Sequence, residues 1–522
     1  MPPWLTPSGC RWTSASMVPA GDRSSSVVRP IPYPACSVEE KPASGWKSLA
    51  PRPSIAMILG MTRIIAITWA ILCLHSLGFA AKKPNFILAM ADDQGWGEMG
   101  YQGHKDLKTP HFDDMAKSGL RFDRFYAAAP VCSPTRASCL TGRHPNRLGV
   151  FKWGYPMRTG EITIAEALKK AGYATGHFGK WHLGSVRADS AACPGANGFD
   201  EWASSPNFYE NDPLFSHNGK VIEVKGESSL ATMEIALRWI RKMAKQDKPF
   251  LAVIWFGNPH GPHIGVDEFM APYAKHPKSL QNFYSEITGM DAAMGVLRKE
   301  LRNLKIHDDT ALWYTSDNGG LKANSMGGLS GKKGNLLEGG IRVPAILEWP
   351  ARIPKPRTTA VPCNTSDFYP TLLELAGAEL PKNQPPLDGI SLVSLIDGKA
   401  ETREKAMGFW DFKAPGRSRR ARAMLEALRE EQKAGKQKPA PKEGHVERQY
   451  PENSFPGPAA WIDGDWKLIV DKGPPKLFNL ARDVTEKNNL ADQHPEKVAA
   501  MQKAMLTWQR SVIHSLNGKD YK

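Results

Sequence analysis

The sequence is poor in cysteine. Seven occur in 522 residues, and only Cys132, Cys139, Cys193 and Cys363 lie beyond residue 81. That is too few for a disulfide framework, and the partners of any single bridge cannot be read from spacing. No Cys/His set has zinc-site spacing. No zinc-finger, homeodomain or RNP signature accompanies the net charge of +15. That basic balance therefore points to polyanions in general, sulfated or phosphorylated polysaccharide among them, and not to nucleic acid. Beyond residue 81 no run is long and apolar enough to span a bilayer, and there is no internal repeat. What is present is ordinary globular material: 41% hydrophobic and 23% charged residues, with 46 Gly and 42 Pro. A disordered chain, a collagen-like fibre and a small disulfide scaffold are excluded. A loop-rich α/β enzyme of two to three domains is favoured over a helical bundle.

Residues 1–56 are rich in Pro and Ser and aperiodic, which reads as disorder. In Met61–Ala80, one Arg precedes an apolar run that ends in small residues, the layout of a secretory signal peptide. Residues 1–60 are thus expected to be an over-extended start, 61–81 a cleaved leader, and the mature chain periplasmic or secreted, with no stable membrane span.

Several apolar runs end in polar loops. Phe86–Met90 leads to Asp92-Asp93. Tyr173–Phe178 leads to Lys180-Trp-His182. Phe250–Phe256 leads to His260 and His263, and Thr310–Thr315 leads to Asp317-Asn318. Helical patterns lie between, such as Thr232–Lys245 and the capping box Thr163/Glu166. Alternating strands and helices predict a mostly parallel sheet flanked by helices, with ligands at the carboxyl ends of its strands. The four polar loops should therefore converge. The catalytic domain is expected over 82–400. A smaller α+β part over 401–522 should contain a hairpin at Ala459–Val470 turning at Asp463-Gly464, a strand at Lys476–Leu480 and a closing helix at Glu496–Ile513. Within it, 413–448 carries eleven Lys/Arg and five Glu; Arg419–Lys433 reads as a helix and the remainder as a mobile insertion.

Asp92, Asp93, Asp317 and Asn318 offer only oxygen ligands, the donor set of a hard cation such as Ca²⁺ or Mg²⁺. Taken singly, each pair is more often an ordinary loop or turn. Cys132-Ser-Pro-Thr-Arg136, followed by Thr141-Gly-Arg143, is more specific, because neither a packed thiol nor a simple Cys nucleophile requires Pro, Arg and Thr-Gly at those offsets.

This stretch resembles the signature of the type I, formylglycine-dependent sulfatases, and the other segments agree in order. Ala91–Gly97 and Ser316–Gly320 resemble the family's metal loops. Gly179–Gly184 resembles its Lys-x-His element, and Pro259-His260-Gly-Pro its His loop. Gly331–Gly340 resembles its Lys-Gly-x-x-x-Glu-Gly-Gly element, and Leu477–Leu480 with Lys487–Ala491 its C-terminal tail. The match spans about 84 to 510 without the insertion, and its flavour is that of arylsulfatase A and N-acetylgalactosamine-6-sulfatase.

The resemblance implies an alkaline-phosphatase-like large domain with a mixed, mostly parallel sheet, plus a small antiparallel C-terminal domain. It implies sulfate-ester hydrolysis, on sulfated carbohydrate or a small sulfate ester. Cys132 would be converted to formylglycine by a formylglycine-generating enzyme, and its hydrate would be the nucleophile. One divalent cation, Ca²⁺ before Mg²⁺, would be held by Asp92, Asp93, Asp317, Asn318 and modified Cys132. Arg136 would steady the hydrate, Lys180 and Lys333 would clamp sulfate, His260 would protonate the leaving alcohol and His182 would take the proton that drives sulfate expulsion. Arg143 and Cys139 are expected to be structural, and His263 a substrate contact. Ser204–Asn218, with Phe208, Tyr209 and His217, is expected along the pocket. Two other readings compete: a phosphodiesterase or phosphonate ester hydrolase of the same superfamily, and a non-catalytic polyanion-binding protein.

Overall fold

The computed structural model describes residues 82–321, 323–417 and 420–521, with no account of the side chains at 322–324. The expected over-extended start and leader lie outside the described residues. The described residues from Lys82 onward form one compact unit.

Two sheets share this unit. The larger has eleven strands: β1 (Asn85–Ala91), β2 (Leu120–Tyr126), β3 (Ala174–Lys180), β4 (Glu201–Ser205), β5 (Leu214–His217), β6 (Lys220–Glu223), β7 (Phe250–Trp255), β8 (Thr310–Ser316), β9 (Arg342–Glu348), β10 (Arg357–Thr359) and β11 (Cys363–Asn364). Its order is β10-β2-β9-β8-β1-β7-β3-β4-β5-β6, and β11 also pairs with β2. The centre, β8-β1-β7-β3-β4, is parallel. Antiparallel strands flank it, β9 on one side and β5-β6 on the other.

Every residue of β1, β7 and β8 is buried, as expected where helices cover both faces of a parallel sheet. The strand period divides β1 between two cores. Phe86, Leu88 and Met90 pack with the helices Cys132–Thr141, Ile164–Lys170 and Phe368–Leu375. Ile87, Ala89 and Ala91 pack with Pro110–Ser118, Ser228–Lys245 and Lys278–Asn303. The Thr163 capping box forms: Thr163 Oγ1 accepts the Glu166 N–H at 3.1 Å and Glu166 Oε2 accepts the Thr163 N–H at 2.8 Å. Such a cap contributes about 1 kcal/mol.

The smaller sheet is antiparallel: β12 (Met407–Trp410), β13 (Ala459–Asp463), β14 (Trp466–Val470) and β15 (Lys476–Asn479). Asp463 faces Trp466 across the turn, where Gly464 has φ 56°. The last helix, Pro495–Leu516, packs on one face through Met501, Met505 and Val512. Phe409, Ile462 and Phe478 on the other face meet Tyr126 and Ile341 of the large-sheet region.

The insertion corrects an expectation. Its helix, Ala421–Lys433, buries Leu425 and Leu428, but the remainder is not a loose excursion. Gln432 Oε1 accepts the Val221 N–H at 3.1 Å, and its Nε2 donates to the Gly219 carbonyl at 2.7 Å. Arg187 pairs with Glu431 at 2.8 Å. On the return path Asp189 accepts the Ala440 N–H at 2.7 Å, Glu443 accepts the Ser185 N–H at 2.7 Å, and the Gly444 carbonyl accepts the Thr159 N–H at 3.1 Å. The segment is a strap from the small sheet to the β5-β6 side of the large one. Its composition suggested solvation because the partners of its polar groups lie more than two hundred residues away.

Candidate active site

The polar loops meet at one end of the central strands. β1 delivers Asp92 and Asp93, β8 delivers Asp317 and Asn318, β3 ends in Lys180 with His182 beyond, and the loop after β7 carries His260. In-register pairs such as Ala91 with Ser316 and Gly179 with Trp255 set the loops level. Cys132 is the first residue of a helix buried along all ten positions, and Arg136 lies one turn on.

All ten residues named as candidates, Asp92, Asp93, Cys132, Arg136, Lys180, His182, His260, Asp317, Asn318 and Lys333, are brought into this one region. Arg136 is fully buried. It donates to Asp317 Oδ2 from Nε at 3.1 Å and from a terminal nitrogen at 2.6 Å, and to the Lys180 carbonyl at 3.2 Å. Its guanidinium also lies over Trp255, 5.1 Å from the ring centre. Lys180 Nζ donates to Asp92 Oδ2 at 2.6 Å. Lys333 Nζ holds both oxygens of Asp93, at 2.6 and 2.7 Å, and stands 3.5 Å from Cys132 Sγ. Asp317 Oδ1 accepts the Asp93 N–H at 3.1 Å, and Asn318 donates to Asp93 Oδ1 at 2.8 Å. Asp93 at φ 69° and His182 at φ 56° occupy the left-handed region that non-glycine residues rarely enter, a strain commonly found at functional sites.

Three buried carboxylates thus face three buried or half-buried cations. Burial alone would raise the Asp93 pKa, but Lys333, His260 and Lys180 outweigh it and hold the carboxyl well below its usual range. Asp317 goes the other way: burial, then Asp92, push it up to about 6 despite Arg136. Burial pushes the Cys132 thiol well up against the pull of Lys180 and Lys333. The unmodified side chain is therefore a protonated thiol and a poor nucleophile.

Two buried oxygens favour a metal ion here. Asp92 Oδ1 and Asn318 Oδ1 are buried acceptors without a hydrogen bond among the described residues. Ligand atoms of Asp92, Asp93, Cys132 and His260 all lie within 4.8 Å of one another. An unsatisfied buried carboxylate oxygen is costly, and a hard divalent cation satisfies it. The residues fit such an ion.

His260 donates from Nδ1 to the Gly261 carbonyl at 2.7 Å and presents Nε2 to Asp93 Oδ2 at 3.6 Å. Burial lowers its pKa to about 4 despite Asp93, so its ring is neutral. Phe208 stacks on it with centres 4.1 Å apart. His182 is buried with neither ring nitrogen hydrogen-bonded among the described residues. Arg143 is fully buried against Glu161 at 2.6 Å, and Cys139 is packed in the core, both structural as expected. His263 is tied to Glu286 at 3.0 Å. His217 does not meet its pocket expectation: it faces Glu201 at 3.4 Å at the far end of β5, because the hairpin turns it away. Tyr209 is buried, with its hydroxyl on Thr232 at 2.7 Å.

One set of residues escaped the sequence. Lys467 of β14 is fully buried between Glu338 Oε1 at 2.9 Å and Glu486 Oε1 at 2.8 Å. Glu338 also accepts from the Tyr126 hydroxyl at 3.0 Å, and its own N–H donates to Glu486 Oε2 at 2.6 Å. Glu338 closes the loop that carries Lys333, which is further fixed by the Lys333 N–H on the Gly320 carbonyl at 3.0 Å. The small sheet therefore anchors the Lys333 loop. A lysine in a strand gives no sequence signal of such a role.

The sulfatase family model matches residues 84–378. Human (Homo sapiens) arylsulfatase A is 32% identical over 370 residues, covering 63% of this chain and 71% of that protein. The ulvan-active sulfatase of Formosa agariphila is 31% identical over 355 residues, covering 63% and 69%. Among solved structures, Ps i-CgsB in complex with k-i-k-neocarrahexaose superposes with a TM-score of 0.69 at 27% identity, covering 82% of this chain and 93% of that one.

Proposed function

Since the chain belongs to the sulfatase family and hydrolyses sulfate esters, we propose that its substrates are sulfated carbohydrates and that Cys132, oxidised to formylglycine, is its nucleophile. The observation that carries this reading is the arrangement around Cys132 Sγ. A helix N-terminus, Lys333 at 3.5 Å, and a ring of buried carboxylates and one amide in which Asp92 Oδ1 and Asn318 Oδ1 accept no hydrogen bond among the described residues surround a thiol that is inert as it stands. The ulvan-active relative supports a carbohydrate substrate.

Asp92, Asp93, Asp317 and Asn318, with modified Cys132, would hold one divalent cation, Ca²⁺ before Mg²⁺. When bound, it supplies Lewis-acid polarisation of sulfate oxygen. Arg136, locked by Asp317 and Trp255, keeps positive charge beneath the reacting group. Lys180 and Lys333, relieved of neutralising the aspartates, hold the sulfate oxygens as point charges. Asp317, whose Oδ2 is held by Arg136, accepts the proton of the attacking hydroxyl. His260 protonates the leaving alcohol at Nε2, its Nδ1 fixed by the Gly261 carbonyl. The sulfate's negative charge raises its pKa from the low value of the empty site. His182 takes the proton released when sulfate departs.

We further propose 82–400 as the catalytic domain and 401–522 as the supporting one. The protein acts outside the cytosol after loss of 61–81, and a formylglycine-generating enzyme modifies Cys132 during maturation. The test is the mass of the tryptic peptide Phe125–Arg136, with sulfate release from sulfated oligosaccharides assayed alongside hydrolysis of a phosphodiester. An aldehyde at Cys132 and preferred sulfate release are expected. An intact thiol in fully active protein would refute the nucleophile, and faster phosphodiester turnover would refute the substrate class.

A further inference from the structure

The strap over 413–448 does more than join two sheets. A cleft of about 780 Å³ opens from His182. Pro156, Ser185 and Asn207 contribute to one wall, while Gly416, Arg417, Met424, 441–445 and Glu447 of the strap form the other. That volume suits a ligand far larger than one sulfate group. Beside it, Trp153 is 38% exposed and packs against Gly416, giving the rim a flat apolar face of the kind that receives a sugar ring.

Charge narrows the occupant. Arg417 lies over the Tyr155 ring at 4.1 Å, its N–H on the Trp153 carbonyl at 2.9 Å, and no carboxylate pairs with it among the described residues. Lys442 is exposed and likewise without an acidic partner among them. Of the acids on the same cleft, Glu443 accepts the Ser185 N–H and Glu447 is exposed. Two cations without acidic partners among the described residues, on a wall continuous with a centre that receives an anion, match a ligand carrying a second negative group.

We propose that the strap makes the specificity subsite of the enzyme. Arg417 and Lys442 bind a second anionic substituent, sulfate or carboxylate, of an extended sulfated oligosaccharide whose scissile sulfate lies at Cys132. This rests on the sulfatase reading above and deepens it. It makes the enzyme one for oligosaccharides bearing at least two negative groups, in preference to small aryl sulfates.

The test compares kcat/KM for an aryl sulfate with that for tetrasaccharides prepared from ulvan, carrageenan and chondroitin sulfate, each in singly and multiply anionic form. Wild type, Lys442→Ala and the pair Arg417→Ala/Lys442→Ala are measured. For multiply anionic tetrasaccharides the pair should lose about tenfold more than for the aryl sulfate, near the upper range of two exposed ion pairs. Its KM should also rise less steeply with salt. Lys442→Ala, at an exposed position with no partner, should lose part of this without affecting folding. Equal losses on all substrates, or no loss, would overturn the proposal. So would wild type that turns over the aryl sulfate and no tetrasaccharide. Turnover of neither would instead overturn the sulfatase reading on which it rests.

Discussion

Replacing Lys467 with Met removes one cation from between two buried carboxylates. In the native protein, burial would raise the Glu338 pKa, but Lys467 and Arg342 hold it down. Glu486 is already raised, chiefly by burial. Without the ammonium, Arg342 at 3.4 Å and the Tyr126 hydroxyl still face Glu338, with Arg124 adding charge from farther off. Removing one partner of a buried pair costs about 3–5 kcal/mol. Here protonation of Glu486 offers partial escape, so we expect about 3 kcal/mol at pH 8. In the variant both carboxyls have folded pKa values above their unfolded ones. They destabilise the fold progressively as pH rises above the unfolded value and fully once it exceeds the folded one, so the penalty fades as pH falls back toward the unfolded value. The loss should therefore shrink to about 1 kcal/mol at pH 5. Urea unfolding of both proteins at the two pH values, at fixed Ca²⁺, measures it. Lys467→Met/Glu486→Gln should recover part of the loss, and kcat of the single variant should fall because the Lys333 loop loosens. A loss below about 1 kcal/mol at pH 8, or an equal loss at both pH values, would refute the claim that Lys467 locks this loop.

Two further outcomes are expected. Chelation with EDTA should lower the thermal midpoint and abolish turnover, and Ca²⁺ at a hundred times its Kd should restore about 2.7 kcal/mol; an unchanged midpoint would argue against a cation at the aspartates. His144 is fully buried, and burial lowers its pKa from 6.5 to about 3 despite Asp388. The unfolded chain then binds a proton that the fold refuses, so up to about 5 kcal/mol present above pH 6.5 is lost as pH falls toward 3, and His144→Gln should flatten the stability profile over that range.

Where local pattern and tertiary role coincide, the sequence is readable. The apolar run Phe86–Met90 followed by Asp92-Asp93 announces both strand and site, because a parallel strand buried on two faces must end where polarity begins. Thr163 and Glu166 announce a helix start, and Asp463-Gly464 a hairpin. The gathering of Asp92, Lys180, His260 and Asp317 follows from one topological rule about strand ends. Lys467 is unreadable for the opposite reason: a lysine on a short strand looks solvated, and its partners Glu338 and Glu486 come from distant loops. The strap misleads similarly. Its charges and prolines resemble solvated chain, while Gln432 and Glu443 are engaged by backbone groups that no local pattern reveals. His217 fails because a hairpin register, which composition does not encode, turns it from the pocket.

The contacts of Gln432 have a consequence for solubility. β6 is the last strand of the large sheet, and its outer side offers backbone groups to any extended chain that drifts past. With one side-chain amide, Gln432 answers both the Val221 N–H and the Gly219 carbonyl, standing in for a neighbouring strand. The strap is therefore also a guard against edge-to-edge association. A chain shorn of 413–448 would gain an open cleft and, with it, a sticky margin along which two molecules could pair.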